Sequence, residues 1–593
     1  MLMSTITTSG KAKSRRRFVN KNRSPYNVHT LLSGSSAFLG ALICIAPHQT
    51  ALAVVPGLPD AGTILKGVQT PLPTSESPKT PELLIDQGIV GVAPESRAFA
   101  VKSIRIIGSR DTDTATLHAL VADGEGKNLT LAQLDQLALR ISAYYQRQGY
   151  PLVEALVPAQ VIREGVVHIR VVLARYGRIA LNNRSGVRDT LLRATLSPVS
   201  HGQDIAQAEL DKALLLLSDI PGIAVSATLK PGEQVGTSDL LVGTSDTVRT
   251  SGSAVLDNFG NRYTGQERLG INLHMINPLG LKTGDLLTLN GLTSSEQMRY
   301  GRLSYESVLS GQGLRIGGSY SALNYRLGGD VTSLLASGSA QVGSLWLRQP
   351  LIRSRGLNLY GVLQHDSLKL LDHVDVSAHK TDRHLANWTL SFYGDSQDKR
   401  LSGGSNNWSL VWTQGRVSFD DPSAQLANAA TVKSEGRFSK LMVSLSRSQR
   451  LSNDSSIYLA TSGQRASTNL DSTQKMSIGG PYAVRAYESG VVTGDNGQLV
   501  TVELRQTLGP SWGGQLTGVA FVDSARVTLN RNLWTGATGA NGVLLSGAGL
   551  GIHWSGPQQW MARAYMATPV GTPPTLTGTR QATRAWLETR KSF

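Results

Sequence analysis

The chain has 593 residues, of which 62 are Gly and one is Cys, and a formal net charge of +16. A single cysteine excludes a disulfide framework and a thiolate metal site. Seven of the positive charges fall, with no acid among them, in the first 53 residues; the remaining +9 or so is scattered, without the basic stripe that nucleic-acid binding needs.

Residues 1–53 read as a secretory signal. Lys11, Lys13, Arg15, Arg16, Arg17, Lys21 and Arg23 precede an apolar run at 31–46, and Ala51-Leu52-Ala53 supplies a small-x-small site. The run is too short and too rich in Ser and Gly for a membrane-spanning helix. Cys44 lies inside it behind Ile43, which is not the small residue a lipidation site wants, so the mature chain is expected to be cysteine-free. No later segment is apolar enough to span a bilayer as a helix. An exported chain of this kind is either soluble beyond the inner membrane or a closed barrel in the outer one.

Residues 54–97 carry Pro71, Pro73, Pro78, Pro81 and Pro94 and read as an extended linker. Within them 59–69 (PDAGTILKGVQ) is predicted to form a helix of about three turns, with a frayed tail as the alternative. Residues 98–174 and 175–248 read as two copies of one α/β unit. In the first, a strand at 100–107 precedes a helix opened by a Thr130…Gln133 capping box. Leu134, Leu137, Ala138, Ile141 and Tyr145 continue that helix at helical spacing, and strands at 153–157 and 166–173 follow. The second copy has a strand at 178–181, a helix at 205–217, and strands at 223–229 and 239–242. Its helix echoes the first at a period of about 75 residues.

From 249 to 593 the pattern becomes short alternating strands between Gly/Asn/Asp/Ser turns. Leu441, Val443 and Leu445 alternate with Ser444 and Ser446, and Leu550, Ile552 and Trp554 alternate with Gly551 and His553. Such dyads suit a wall with lipid on one side and water on the other. The span accommodates about 16 strands of roughly 21 residues each, turns included. Phe593 is the terminal aromatic by which barrel proteins are marked for insertion. The fold class is therefore mainly β: a transmembrane antiparallel barrel of about 16 strands behind two small α/β domains and a short helix.

Enzymatic signals are weak. Gly509-Pro510-Ser511-Trp512-Gly513 matches a G-x-S-x-G nucleophile pattern, but an alternating strand follows it where the chemistry requires a helix, so it is expected to be a tight turn. The eleven His show no paired metal spacing. No catalytic residue, metal or cofactor is expected.

Residues 479–490 read GGPYAVRAYESG. In 498–507 Val500, Val502 and Leu504 oppose Thr501, Glu503 and Arg505. In 516–527 Ala520 and Val522 alternate with Val519, Phe521 and a lone Asp523. A carboxylate in an apolar strand is costly unless it meets water or a cation, and Arg485 offers one. Asp523 faces inward if Ala520 and Val522 face lipid.

This combination resembles the two-partner-secretion outer-membrane transporters, the haemolysin secretion/activation family of the POTRA-plus-barrel superfamily. Val484-Arg485-Ala486-Tyr487 stands for its V/I-R-G-Y/F loop, and Phe521-Val522-Asp523-Ser524-Ala525 for its F-x-D-x-G strand, each with Ala in place of Gly. The repeats match POTRA (polypeptide-transport-associated) domains, down to Pro158-x-Gln160 before Gly165. The segments 257–265, 277–280, 284–285, 350–354 and 371–372 follow in family order.

The resemblance implies that the loop folds into the barrel, joining Arg485 to Asp523 with support from Gly479, Gly480, Val484, Tyr487 and Phe521. It further implies that the helix bearing Asp60, Ala61, Gly62 and Leu65 plugs the pore. The function it implies is ATP-free export of a large exoprotein, adhesin- or haemolysin-like, across a Gram-negative outer membrane, with the repeats in the periplasm. Its partners would be the exoprotein's N-terminal secretion domain, outer-membrane lipids and the barrel-assembly machinery. A barrel-assembly factor is the alternative, though that branch usually carries more than two repeats. A surface lipase on a barrel anchor would need a hydrolase domain that the roughly 45 residues ahead of the first repeat cannot hold.

Overall fold

The computed structural model describes residues 58–69, 81–86, 96–108, 114–295, 297–572, 574–577 and 583–593. The segment read as a secretory signal and most of the Pro-rich linker lie outside them.

From Thr250 to Ser592 the chain builds a closed barrel of sixteen antiparallel strands, each paired with its neighbour in barrel order. The seam joins Thr250–Asp257 to Arg584–Ser592, with rungs from Ser253↔Ser592 to Asp257↔Glu588. At its end the Gly252 N–H donates to the Phe593 carbonyl at 2.9 Å and the Phe593 N–H donates back at 3.0 Å. An unpaired backbone group in hydrocarbon costs several kcal/mol, so closure is what permits a sheet in lipid at all.

The two faces sort by parity. Along Gly514–Thr528, Val519, Phe521, Asp523, Ala525 and Val527 are buried inside, while Val522 is 54% exposed on the outer wall. Leu410, Leu441, Leu445, Leu550 and Met566 also stand exposed on that wall, where lipid covers them. Ser511 ends one strand, and Trp512 and Gly513, both at positive φ, turn the chain into the next. That is a two-residue hairpin turn and not a nucleophile elbow.

The first α/β unit pairs Ser103–Ile107 parallel and Val153–Leu156 antiparallel with Val166–Leu173. Its helix, Leu131–Arg147, carries the capping box in full: Thr130 Oγ1 accepts from the Gln133 N–H, and Gln133 Oε1 accepts from the Thr130 N–H. The second unit sets Thr237–Asp246 between Arg175–Arg184 and Ile223–Pro231. Two short helices, Thr114–Ala119 and Asp189–Leu196, were not legible as patterns. They span six and eight residues, too few turns for a 3.6 period to stand out.

Two expectations change. The strand expected at 100–107 is broken at Lys102: Phe99–Val101 pairs with Lys127–Leu129, and Ser103–Ile107 joins the sheet of Val166–Leu173. Within the segment read as linker, Glu82–Ile85 is a strand, parallel to Ser226–Leu229 at the edge of the second sheet, with Leu83 packed on that unit's core. Four residues carry too little alternation to register in sequence, and an open sheet edge elsewhere in the chain supplies the pairing.

The second unit is fastened to the barrel. Arg353 donates from Nε and Nη2 to the two Asp219 oxygens, each at 2.7 Å, and Arg355 donates to Asp211 at 2.8 Å. The barrel turns on this side therefore face the α/β units, and the opposite rim lies away from them. Because every barrel strand finds its partners within 249–593, that fragment alone is expected to insert and to migrate heat-modifiably on a gel after outer-membrane extraction. Recovery of it as a soluble periplasmic protein would contradict the fold.

Candidate functional site

Between the strands Ser455–Ala466 and Asn496–Ser511 the chain leaves the wall and enters the lumen. A two-strand stem, Met476–Ile478 with Val492–Gly494, carries the loop 479–490. Gly479 and Gly480 adopt φ of 116° and 107°, which L side chains rarely reach. A Cβ on Gly479 would also stand 2.5 Å from the Glu488 carbonyl oxygen. These two residues turn the stem into a compact tip, where the Gly480 N–H donates to Tyr487 O and the Tyr487 N–H to Val484 O.

The tip delivers Arg485 to the wall. Its Nε and Nη2 donate to Asp523 Oδ2 and Oδ1 at 2.8 Å each, and its Nη1 donates to Glu503 Oε1 at 2.7 Å. The Arg485 backbone N–H adds a bond to Asp523 Oδ2 at 3.2 Å, and Thr501 Oγ1 donates to Oδ1 at 3.0 Å. The guanidinium lies 3.4 Å from the Phe521 ring centroid. Arg485 is 3% exposed and Asp523 0%, so both ions have left bulk water. A bidentate fork with a ring against it is geometry that Arg supplies and Lys does not. Val484 and Tyr487 are buried in the same apolar cluster as Phe521, Phe259 and Trp586, and the Trp586 indole N–H donates to the Arg485 carbonyl at 2.7 Å. The Ala486 methyl points at Gly547, where an added Cβ would stand 2.5 Å from it; small residues on both sides let the tip reach the wall.

The helix Ala61–Val68 is capped by Asp60, whose Oδ1 accepts from the Thr63 N–H at 2.9 Å. Ala61, Ile64 and Leu65 pack against inward residues that include Leu323, Tyr325, Leu370, Leu385 and Phe438. A Cβ on Gly62 would stand 2.3 Å from Ser472 Oγ, so only Gly lets the helix lie this close to the segment before the loop. Arg383 on the wall pins the start of the helix. It donates to Asp60, donates to Asp372 at 3.2 Å and lies 3.3 Å from Asp471. Asp372 in turn accepts from the Ala61 N–H at 2.8 Å, and Ser472 Oγ donates to Asp60 at 2.6 Å.

Sequence reasoning placed Arg485, Asp523 and the helix but missed Glu503 as a partner, and missed Arg383 and Asp471 altogether. Glu503 was readable as the inward polar member of an alternating strand. Arg383 sits among Asp382 and His384 with nothing local to mark it as inward. Phe593, named for its terminal position, contributes backbone bonds at the seam while its ring stays 60% exposed on the outer wall.

A closed sixteen-strand barrel with its own loop and a helix in the lumen, behind two α/β domains, defines an outer-membrane polypeptide transporter. Residues 236–554 match the model of the haemolysin secretion/activation protein family ShlB/FhaC/HecB, and residues 99–173 match the ShlB-type POTRA domain. The first match spans more than half of the chain, so the chain belongs to that family. It is similar to the heme/hemopexin transporter protein HuxB of Haemophilus influenzae, 26% identical over 520 residues, 86% of this chain and 91% of that one. It is also similar to the outer membrane transporter CdiB of Escherichia coli, 24% identical over 467 residues, 76% of this chain and 75% of that one. A solved structure of CdiB from Escherichia coli shares the fold with a TM-score of 0.66, 19% identity, and coverage of 86% and 93% of the two chains. The protein is an outer-membrane transporter of a two-partner secretion system that exports a partner exoprotein, with its POTRA region in the periplasm.

Removing one partner of a buried pair costs about 3–5 kcal/mol by stranding the other charge. Arg485→Ala and Asp523→Ala are each expected to loosen the loop by that order, read as faster proteolysis at 479–490 in detergent-solubilised protein. The double variant should be little worse than either single one. Fully additive effects would mean that the two side chains act separately.

Proposed function

We propose that this transporter carries one large exoprotein whose N-terminal secretion domain is recognised by the periplasmic units at 98–174 and 175–248, behind a signal at 1–53 and a linker at 54–97, through a barrel spanning 249–593. At rest the helix bearing Asp60, Ala61, Gly62 and Leu65 closes the pore, and the Arg485–Asp523 pair holds the loop against the wall. The observation that carries this reading is the helix itself: it packs on inward residues of strands from Met298 to Ala466, fastened through Asp60 to Arg383.

A passage for an unfolded chain must bind many sequences weakly. Sheet edges do this through backbone hydrogen bonds, which are indifferent to side chains. Folding of the exoprotein outside supplies the drive where no nucleotide is at hand, and no chemical step is assigned to the chain. Insertion of the transporter relies on the barrel-assembly machinery, with Phe593 as the terminal signal.

Deleting 98–174 is expected to abolish secretion of the exoprotein while the barrel still assembles; secretion at wild-type level would overturn the assignment of recognition to that unit. Arg383→Ala removes the cation that Asp60 and Asp372 share, so it should raise single-channel conductance in planar bilayers as the helix leaves the pore. Conductance equal to wild type would show that the helix is not the plug.

A further inference from the structure

The outer wall carries a second charged feature, away from the lumen. Arg416 and Arg437 stand directly opposite one another on the paired strands Gly404–Phe419 and Gly436–Arg450. Their neighbours Val417 and Phe438 are buried inside, so both guanidiniums point outward. Like charges directly opposed on one face of a sheet are destabilising unless something between them is negative. Among the described residues neither Arg has a hydrogen-bond or ion-pair partner.

The same face carries more cation on the two preceding strands. Lys369 lies outward between buried Leu368 and Leu370, and it too has no partner among the described residues. It stands opposite His384, and His384 stands opposite Ser418, two residues from Arg416. One rung further out are carboxylates: His384 Nδ1 lies 2.7 Å from Asp420, and Asp382, His384 and Asp420 bring donor atoms within 4.8 Å of one another. Asp382 also lies 3.5 Å from Lys380, whereas the side chains of Lys369, Arg416 and Arg437 have no acidic partner of their own among the described residues.

Depth fixes the occupant. Trp388 and Trp412, exposed on the outer wall, mark the membrane interface on these strands. Arg416 lies four residues beyond Trp412, about 13 Å along the strand. This is the rim opposite the one held to the periplasmic unit by Arg353 and Asp219. The row therefore sits at headgroup height in the outer leaflet.

We propose that Arg416 and Arg437, with Lys369, bind a phosphate of the phosphorylated glycolipid, lipid A, that forms the outer leaflet of a Gram-negative membrane. Two guanidiniums leaving the same face at opposed positions suit phosphate oxygens, and a bound phosphate removes the repulsion between them. The inference rests on the barrel's place in the outer membrane and is independent of what the pore exports.

The test uses the full-length protein in detergent, with added bisphosphorylated lipid A followed by native mass spectrometry. Wild type should retain the lipid, and Arg416→Gln/Arg437→Gln should retain about tenfold less, the scale of one charge-assisted contact. Arg299→Gln, which removes an outward cation on another strand, should stay within about twofold of wild type. Dephosphorylated lipid A should bind wild type no better than it binds the double variant. Equal retention of lipid A by wild type and the double variant would overturn the proposal. Ready displacement of the lipid by millimolar inorganic phosphate would assign the site to free anions and overturn it as well. Heat-modifiable migration checks that the double variant is folded; if it is not, Arg437→Gln alone takes its place, with loss expected and wild-type retention overturning.

Discussion

Closure of the sheet is the constraint from which the rest of this molecule follows. A strand in hydrocarbon must satisfy both of its edges, and sixteen strands do so only by joining the last to the first. Closing that many strands encloses a lumen too wide for wall side chains alone to fill. The chain fills part of it with its own helix and its own loop. Each packs on apolar residues of the inner face and brings charges that are buried there.

Two arginines manage those charges in complementary ways. Arg485 arrives on the loop and meets wall carboxylates, Asp523 and Glu503. Arg383 stands on the wall and meets carboxylates that arrive: Asp60 from the helix and Asp471 from the segment before the loop. In both cases the planar fork satisfies two partners at once, which a buried cation needs if its desolvation is to be offset. The inward segment between Ala466 and Asn496 takes part in both clusters. It presents Asp471 and Ser472 to the helix start and Arg485 to the wall, so withdrawing the helix changes what Arg383 and Asp471 can bind.

The periplasmic end follows a different logic. There the contacts between units include ion pairs, Arg353 bidentate to Asp219 and Arg355 to one oxygen of Asp211, beside the packing of Val308 on the second unit's core. Glu82–Ile85, held on the second sheet by four rungs, belongs to the same end. Short pairings of this size give way at low cost.

The amino-acid sequence by itself determined the elements whose pattern is local and long. Period-2 alternation marked the barrel, the 3.6 period of Leu134, Leu137, Ala138, Ile141 and Tyr145 marked a helix, and Arg485 and Asp523 stood out as charges in apolar surroundings. The sequence could not assign Arg383, Asp471 or Glu503 to a partner. Arg383 and Asp60 are 323 residues apart, and only barrel closure brings them together. Nor could it reveal Arg416 opposite Arg437, because cross-strand neighbours are set by register, and register is fixed by all sixteen strands jointly. Parity is written in each strand, but what meets across the lumen or along the wall is decided by the shear of the closed sheet.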